Sequence, residues 1–475
     1  MQPETNSSHP PRPGPALLSA CVATFLGFLD ATVTNLAIPD IVGSFGIDIG
    51  AVSWVVTLYM VLFAACLAPA GGLADLLGRE RLLFTGVAAF TVASLLAAVA
   101  PTFTVLLVAR GMQGVAAALI IPASLGLVLA STAPARRAAA IGLWSASGAL
   151  AAAIGPSLGG VLVELLGWRS LFCLNLPIGF WLAYRTWKSS GSPGVGTKAP
   201  DGWGSLLVVI SVGLAVLAVA EGPVWGWRSA ATTICLLAAV VSAVAAVMRA
   251  RRHPRPALEV RLWRSRTYAF ANLSSLFYGA GLYASLLVGV LYLVQIWRYS
   301  ELQAGLAMTP GAVAATVVGL SLGRARRQPS ARSLVVGGSL LIAGTAAWLA
   351  LTLPAAPAFV AVWLPAGLLM GVGAGAASVG TSGAAALSVS PAFFASATGL
   401  NLAARQLGGA IGIAMLVAIL GPEATGLDAD RFGHVYAAIA AVSALTCLTG
   451  LQLAVPRLPP GNHDDAGALA LEGSD

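Results

Sequence analysis

Asp30 lies in the run Leu29-Asp30-Ala31-Thr32-Val33-Thr34-Asn35, inside the first long apolar stretch of a 475-residue chain. A carboxylate at that depth costs several kcal/mol unless it is paired, hydrated or protonated, so it is a candidate for function by default. Two arginines also fall inside apolar stretches, Arg110 and Arg405. Gln113 follows Arg110 by three positions and Asn401 precedes Arg405 by four, so each pair shares one face of its helix. At about 1.5 Å of rise per residue, Asp30 sits about 13 Å from a helix end near Pro39, and Arg110 about 9 Å from one near Thr104. At those depths the two can meet. Pairing with a guanidinium favours the ionised carboxylate and burial favours the protonated one, and that competition is what a proton switch requires. The same pair also reads as a structural brace between two helices.

The elements that position these residues are membrane spans. With 58% hydrophobic and 9% charged residues, against about 25% charged in soluble domains, the chain is an integral membrane protein of all-α class. A window of about 19 residues finds apolar stretches near 16–39, 52–73, 82–101, 104–130, 138–164, 170–187, 204–221, 229–248, 268–295, 305–322, 333–353, 357–380, 396–420 and 434–455. That predicts fourteen transmembrane helices. With a cytoplasmic N-terminus, 20 of the 26 Lys and Arg face inward and only Arg169, Arg228, Arg298 and Arg431 face outward, so both termini are expected on the cytoplasmic side. The net charge of +8 follows from this bias and calls for no nucleic-acid partner.

Composition also divides the chain. We expect a disordered cytoplasmic lead-in (1–15), a six-helix bundle (16–188), a Ser/Gly/Pro linker (189–203), two central helices (204–248), a basic linker (249–267), a second six-helix bundle (268–455) and a disordered tail (456–475). No cleavable signal peptide is read at the N-terminus. Cys21, Cys66, Cys173, Cys235 and Cys447 are scattered singly, which suits packing and gives neither a disulfide framework nor metal-ligand spacing. The four histidines fall in tails, loops or a helix end and make no catalytic constellation, so an enzyme is not expected.

Several runs have a recognisable form. Gly71-Gly72-Leu73-Ala74-Asp75-Leu76-Leu77-Gly78-Arg79-Glu80-Arg81 lies between the second and third helices and resembles the GxLaDrxGrk signature of the major facilitator superfamily, departing at Leu76 and Glu80. Arg110-Gly111-Met112-Gln113-Gly114 resembles that family's fourth-helix motif. Gly142, Ala151, Gly155, Pro156, Gly159 and Gly160 resemble its exporter signature on the fifth helix, with Ala151 in place of a glycine. Asp30 with Thr32, Asn35 and Pro39, and Trp168-Arg169 with Phe172, Asn175, Pro177 and Gly179, resemble the fourteen-helix drug:proton antiporters. Asn401 to Gly412 is similar to their thirteenth-helix run.

The resemblance implies the major facilitator fold with fourteen helices in a six-plus-two-plus-six order. It also implies secondary active export of amphipathic drugs or antibiotics against protons, by alternating access in the plasma membrane. On this reading Asp30 and Arg110 couple protons. Thr34, Gln113, Asn401 and Arg405 line the substrate cavity, while Gly71, Asp75, Gly78, Arg79, Gly155, Pro156, Gly159 and Gly160 serve conformational change. Its partners are protons, a small amphipathic substrate and the lipid bilayer; no cofactor is expected, and the protein is expected to act as a monomer. A dedicated exporter of one metabolite or lipid, and a passive channel or receptor, are the competing classes. Glu164 and Glu221, near helix ends, are expected to be wetted.

Overall fold

Apolar runs this long give little sign of their own limits, and capping residues set the helix ends. In the computed structural model Asp48 accepts from the Ala51 N–H at 2.7 Å to open one long helix, and Ser300 with Gln303 forms a reciprocal capping box at another. Gly78, Gly167, Gly226 and Gly421 close helices at φ of 103°, 75°, 89° and 89°, where a side chain would be strained.

The structure describes residues 13–189, 201–253, 256, 259–325, 329–421 and 429–454. The helices are α1 (Pro13–Val33), α2 (Ile38–Phe45), α3 (Ile49–Leu77), α4 (Arg79–Ala98), α5 (Phe103–Ser131), α6 (Arg137–Leu166), α7 (Arg169–Ser189) and α8 (Gly202–Trp225). They continue with α9 (Ala230–Arg252), α10 (Arg266–Gln295), α11 (Glu301–Arg324), α12 (Ala331–Thr352), α13 (Leu364–Leu387), α14 (Phe394–Leu420) and α15 (Ala429–Gly450). Thirteen are long and apolar enough to cross a membrane alone. The fourteenth span is α7, which passes the same test only together with the end of α6, from which it turns by 118°. No strand occurs among the described residues.

Three expectations change. Pro13, Gly14 and Pro15 are the first turn of α1, where proline's fixed φ suits a helix start, and are not part of a loose lead-in. The stretch read as one helix over 16–39 ends at Val33, passes through a 3-10 turn at Thr34–Ala37 and restarts as α2, which carries Pro39 in its first turn. Glu221 is buried at 7% exposure, because Trp227 folds back over Gly222 and covers the end of α8. Glu164 is exposed as expected. The lead-in 1–12, most of the 189–203 linker and the tail from 455 lie outside the described residues.

The largest core joins α1 and α3–α7 and reaches to Phe394, Ala395, Leu402 and Ala403 of α14, while a second core belongs to α10–α15. Of the most apolar window of each helix, α5 buries 78% but α8 and α9 only 22% and 17%. α5 is therefore a central pillar, and the α8–α9 pair lies at the rim. It attaches through Val208 and Ala246, which join the largest core, and through Val216, which packs on Val61 and Ala64 of α3 with Leu407 and Ala410 of α14 beside them.

Candidate functional site

Asp30 is fully buried in the last turn of α1, three residues before the helix ends. Its two oxygens are shared among partners from separate helices. Arg110 of α5 donates from Nη1 to Oδ2 at 2.6 Å, while Gln113 of α5 and Asn175 of α7 donate to Oδ1 at 3.1 and 2.8 Å. Arg110 is itself held on three sides. Its Nε donates to the Val55 carbonyl at 2.9 Å, its Nη1 also donates to Gln113 Oε1 at 2.8 Å, and its guanidinium lies 4.4 Å from the Tyr59 ring centre. Ser94 of α4 accepts from both amides, at 2.9 Å from Gln113 and 3.3 Å from Asn175. Every formal charge here is paired, as burial demands, and each ion has extra hydrogen bonds to offset desolvation. Asn175 Oδ1 is the one acceptor in the cluster left without a partner.

Close approach makes this cluster possible. A Cβ on Gly114 would lie 2.5 Å from the Tyr59 carbonyl, so only glycine lets α5 come near enough to α3 for Arg110 to reach Val55 and Tyr59. Thr34 is buried and donates to the Asp30 carbonyl one turn back at 2.8 Å, which shapes the end of α1. Gly155 of α6 backs onto Thr32, with no room for a Cβ, and Gly159 is buried. A Cβ on Gly160 would lie 3.9 Å from Leu302 of α11, in ordinary contact. Pro156 lies in the same helix, and its side chain falls outside the described residues.

A second cluster sits where α3 meets α4. Arg79 donates to Asp75 Oδ1 from Nε and Nη2 at 2.9 and 2.7 Å. The other oxygen of Asp75 accepts from the backbone N–H and the hydroxyl of Ser396, both at 2.8 Å. With Oδ1 also 3.3 Å from the Ala395 N–H, a carboxylate of the first half caps the first turn of α14 in the second half. Arg79 reaches the Pro391 carbonyl at 2.5 Å, and the Phe394 ring lies beneath Arg79 and Arg137, at 5.7 and 4.9 Å. Gly71 makes room for the Ala395 carbonyl, against which a Cβ would collide. Gly78 supplies the positive φ that turns the chain between Asp75 and Arg79.

Arg405 lies apart from both clusters. It donates to Ser378, Thr381 and Ser382 of α13 at 3.3, 3.0 and 3.0 Å, and its guanidinium lies 5.0 Å from the Tyr278 ring centre. Asn401 faces α10 and donates to the Ala271 carbonyl at 3.3 Å. Between α1, α6 and α11 runs an apolar cavity of about 370 Å³, lined by Leu17, Cys21, Leu143, Leu150, Thr316 and Leu320.

The sequence profile of the Major Facilitator Superfamily matches residues 20–413. The chain belongs to this superfamily. It is a multi-pass membrane transporter and not an enzyme. Among its superfamily relatives, the chain is 33% identical over 408 residues to "Multidrug resistance protein Stp" of Mycobacterium tuberculosis, covering 85% of this chain and 75% of that one. It is 31% identical over 457 residues to "Cephamycin export protein CmcT" of Amycolatopsis lactamdurans, covering 94% of each. The crystal structure of the human organic anion transporter MFSD10 (TETRAN) shares the fold with a TM-score of 0.68 at 14% identity, over 94% of this chain and 100% of that one.

In this superfamily member Asp30 and Arg110 meet, as their depths allowed, whereas Gln113, expected in the substrate cavity, hydrogen-bonds to both within the carboxylate cluster, and the sequence under-reports the site. Asn175, Ser94 and Tyr59 belong to the carboxylate cluster and were not among the expected site residues. Asn175 carried a signal, as an amide inside an otherwise apolar span. Ser94 and Tyr59 carried none, because small hydroxyls and single aromatics are ordinary in membrane helices.

Proposed function

We propose that the protein exports amphipathic drugs or antibiotics in exchange for protons, by alternating access, with both termini on the cytoplasmic side of a plasma membrane. The names of Stp and CmcT place multidrug resistance and cephamycin export among its relatives, and this chain is proposed to move compounds of that kind. The observation that carries the proton half of the reading is the buried Asp30 carboxylate, tied to Arg110 at 2.6 Å and to two neutral amides. A buried carboxylate paired with one guanidinium, away from water, is a group whose protonation changes the forces between helices.

The proposed working units are two six-helix halves with α8 and α9 as an appended pair, acting as a monomer. The clamp of Asp75 and Arg79 on α14 holds the cytoplasmic end of the halves together in this conformation. Protonation of Asp30 from outside, and release of the proton inside after the halves rock, completes the cycle. At about −100 mV each net charge moved inward contributes about 2.3 kcal/mol.

The test is pH-driven uptake of amphiphiles into inverted membrane vesicles, wild type against Asp30→Asn. The expected result is substrate binding retained and proton-driven flux abolished in the variant. Undiminished proton-driven flux in Asp30→Asn removes Asp30 as the coupling group, and flux that survives collapse of the proton gradient in wild type favours a passive channel.

A further inference from the structure

The two halves treat their buried arginines differently. Arg110 has a carboxylate of its own. Arg405 is also buried, at 8% exposure, yet none of the three ion pairs among the described residues includes it. Nor do those pairs include Glu221, the buried carboxylate in the last turns of α8. Among the described residues the partners of Arg405 are three neutral hydroxyls of α13 and the face of Tyr278. A guanidinium carries five N–H donors, of which three are used here, and Nε has no partner at all. A buried cation that keeps its charge with donors to spare is strongly disfavoured unless an anion completes it.

The surroundings hold the cation still and supply it no anion. Tyr278 fixes the plane of the guanidinium from one side and is itself anchored, its hydroxyl donating to the Ala374 carbonyl at 2.9 Å. Ser378, Thr381 and Ser382 lie on α13, one turn or less apart, and take one edge. Tyr283 of α10 lies within electrostatic reach of Arg405, and its hydroxyl is bound to Gln406 Oε1 at 2.5 Å. At about 1.5 Å per residue Arg405 lies about 16 Å into α14 from Phe394, close to mid-membrane.

We propose that Arg405 recognises an anionic group, in the first place a carboxylate, on the exported amphiphile. The inference rests on the exporter reading and names its substrate class: acidic or zwitterionic amphiphiles, whose carboxylate takes the free guanidinium donors while the apolar body lies against the helices around it. A hydroxyl-lined cation suits a transporter better than a fixed ion pair, since its anion must leave in every cycle. Charge-assisted, fork-shaped recognition of a carboxylate is what arginine does best, and lysine reproduces only its charge.

The test is binding to the full-length protein in lipid nanodiscs, read by fluorescence, for a panel of N-dansyl amino acids each paired with its uncharged primary amide. Wild type is expected to bind the acids more tightly than the amides across the panel. Arg405→Gln is expected to weaken the acids by roughly ten- to a hundredfold and leave the amides unchanged. Arg405→Lys, which keeps the charge and serves if the Gln variant does not fold, is expected to fall between. Equal affinity of wild type for acids and amides overturns the proposal, and so does equal loss of both in either variant, which marks Arg405 as structural. Equal binding of acids and amides by wild type, with pH-driven export intact, defeats this inference alone. Absence of pH-driven export of any amphiphile by wild type defeats the exporter reading, whatever the binding shows.

Discussion

Replacing Asp75 by Asn removes a charge from the point where the first half caps a helix of the second, with almost no change in volume. In wild type one carboxylate oxygen receives the Ser396 N–H and hydroxyl at 2.8 Å, and the other receives two donors of Arg79 with the Ala395 N–H at 3.3 Å. Hydrogen bonds to a charged acceptor are worth about 1.5–3 kcal/mol each, and a carboxylate at a helix N-terminus adds about 0.3–1 kcal/mol. An Asn carbonyl keeps the Ser396 pair or the Arg79 pair at neutral strength and turns an NH₂ toward donors on the other side. Allowing for non-additivity, the closed clamp loses about 3 kcal/mol, or roughly a hundredfold in its opening equilibrium. Amide hydrogen exchange reads this directly, because the Ser396 N–H is protected only while the clamp is shut. The segment Phe394–Asn401 is expected to exchange one to two orders of magnitude faster in Asp75→Asn, with the middle of α5 unchanged. Equal exchange in variant and wild type would mean that helix packing around Gly71 holds the end closed and that the carboxylate contributes nothing.

Asn175→Leu, similar in volume but without an amide, leaves Asp30 Oδ1 with Gln113 alone; proton-driven flux in inverted vesicles is expected to drop about tenfold at intact expression and fold. Unchanged flux would reduce Asn175 to packing. At the base of α8, burial disfavours the Asp201 charge, but the Gly204 N–H at 2.9 Å, Arg249 at 2.7 Å and nearby His253 hold its carboxyl below the ordinary range. A lowered folded value means its stabilisation is complete above the unfolded pKa of about 3.9 and is lost as pH falls through the folded value. The melting-temperature gap between wild type and Asp201→Asn is therefore expected to be constant from pH 7 to about pH 5 and to close only under stronger acid. A gap that closes near pH 6 would point to His253 instead.

Much of this architecture is legible from residue types alone. Hydropathy counts the spans, and helical rise places Asp30 and Arg110 at compatible depths. The Gly71 to Arg81 run predicts a special junction where the clamp is found. The partners are harder to read. Asp75 meets Ser396 and Ala395 across 320 positions of sequence, and nothing in Phe393-Phe394-Ala395-Ser396 marks it as a receptor for a carboxylate. Hydropathy also hides the end of α1 at Val33, since the next residues are as apolar as those before and only backbone geometry changes. Glu221 was misread for a related reason, because the cover over it is Trp227 folding back from beyond the helix.

The unpartnered Oδ1 of Asn175 has a consequence for how a proton on Asp30 would be noticed. A carboxylate accepts and a carboxylic acid must also donate, so partners able only to donate suit one state and not the other. A primary amide can serve both: turned over, Asn175 would offer the acid its carbonyl, and its NH₂ would occupy the side where the idle oxygen now stands. No helix has to move for that exchange. Arg110 has no such freedom, having donors alone. The neighbourhood of Asp30 therefore holds an Asn175 amide indifferent to the proton, a Gln113 amide whose carbonyl is already taken by Arg110, and a guanidinium that cannot ignore it. On the proposed reading the guanidinium would carry the change to the Val55 carbonyl and the Tyr59 ring on α3, the helix that carries Asp75 at its far end.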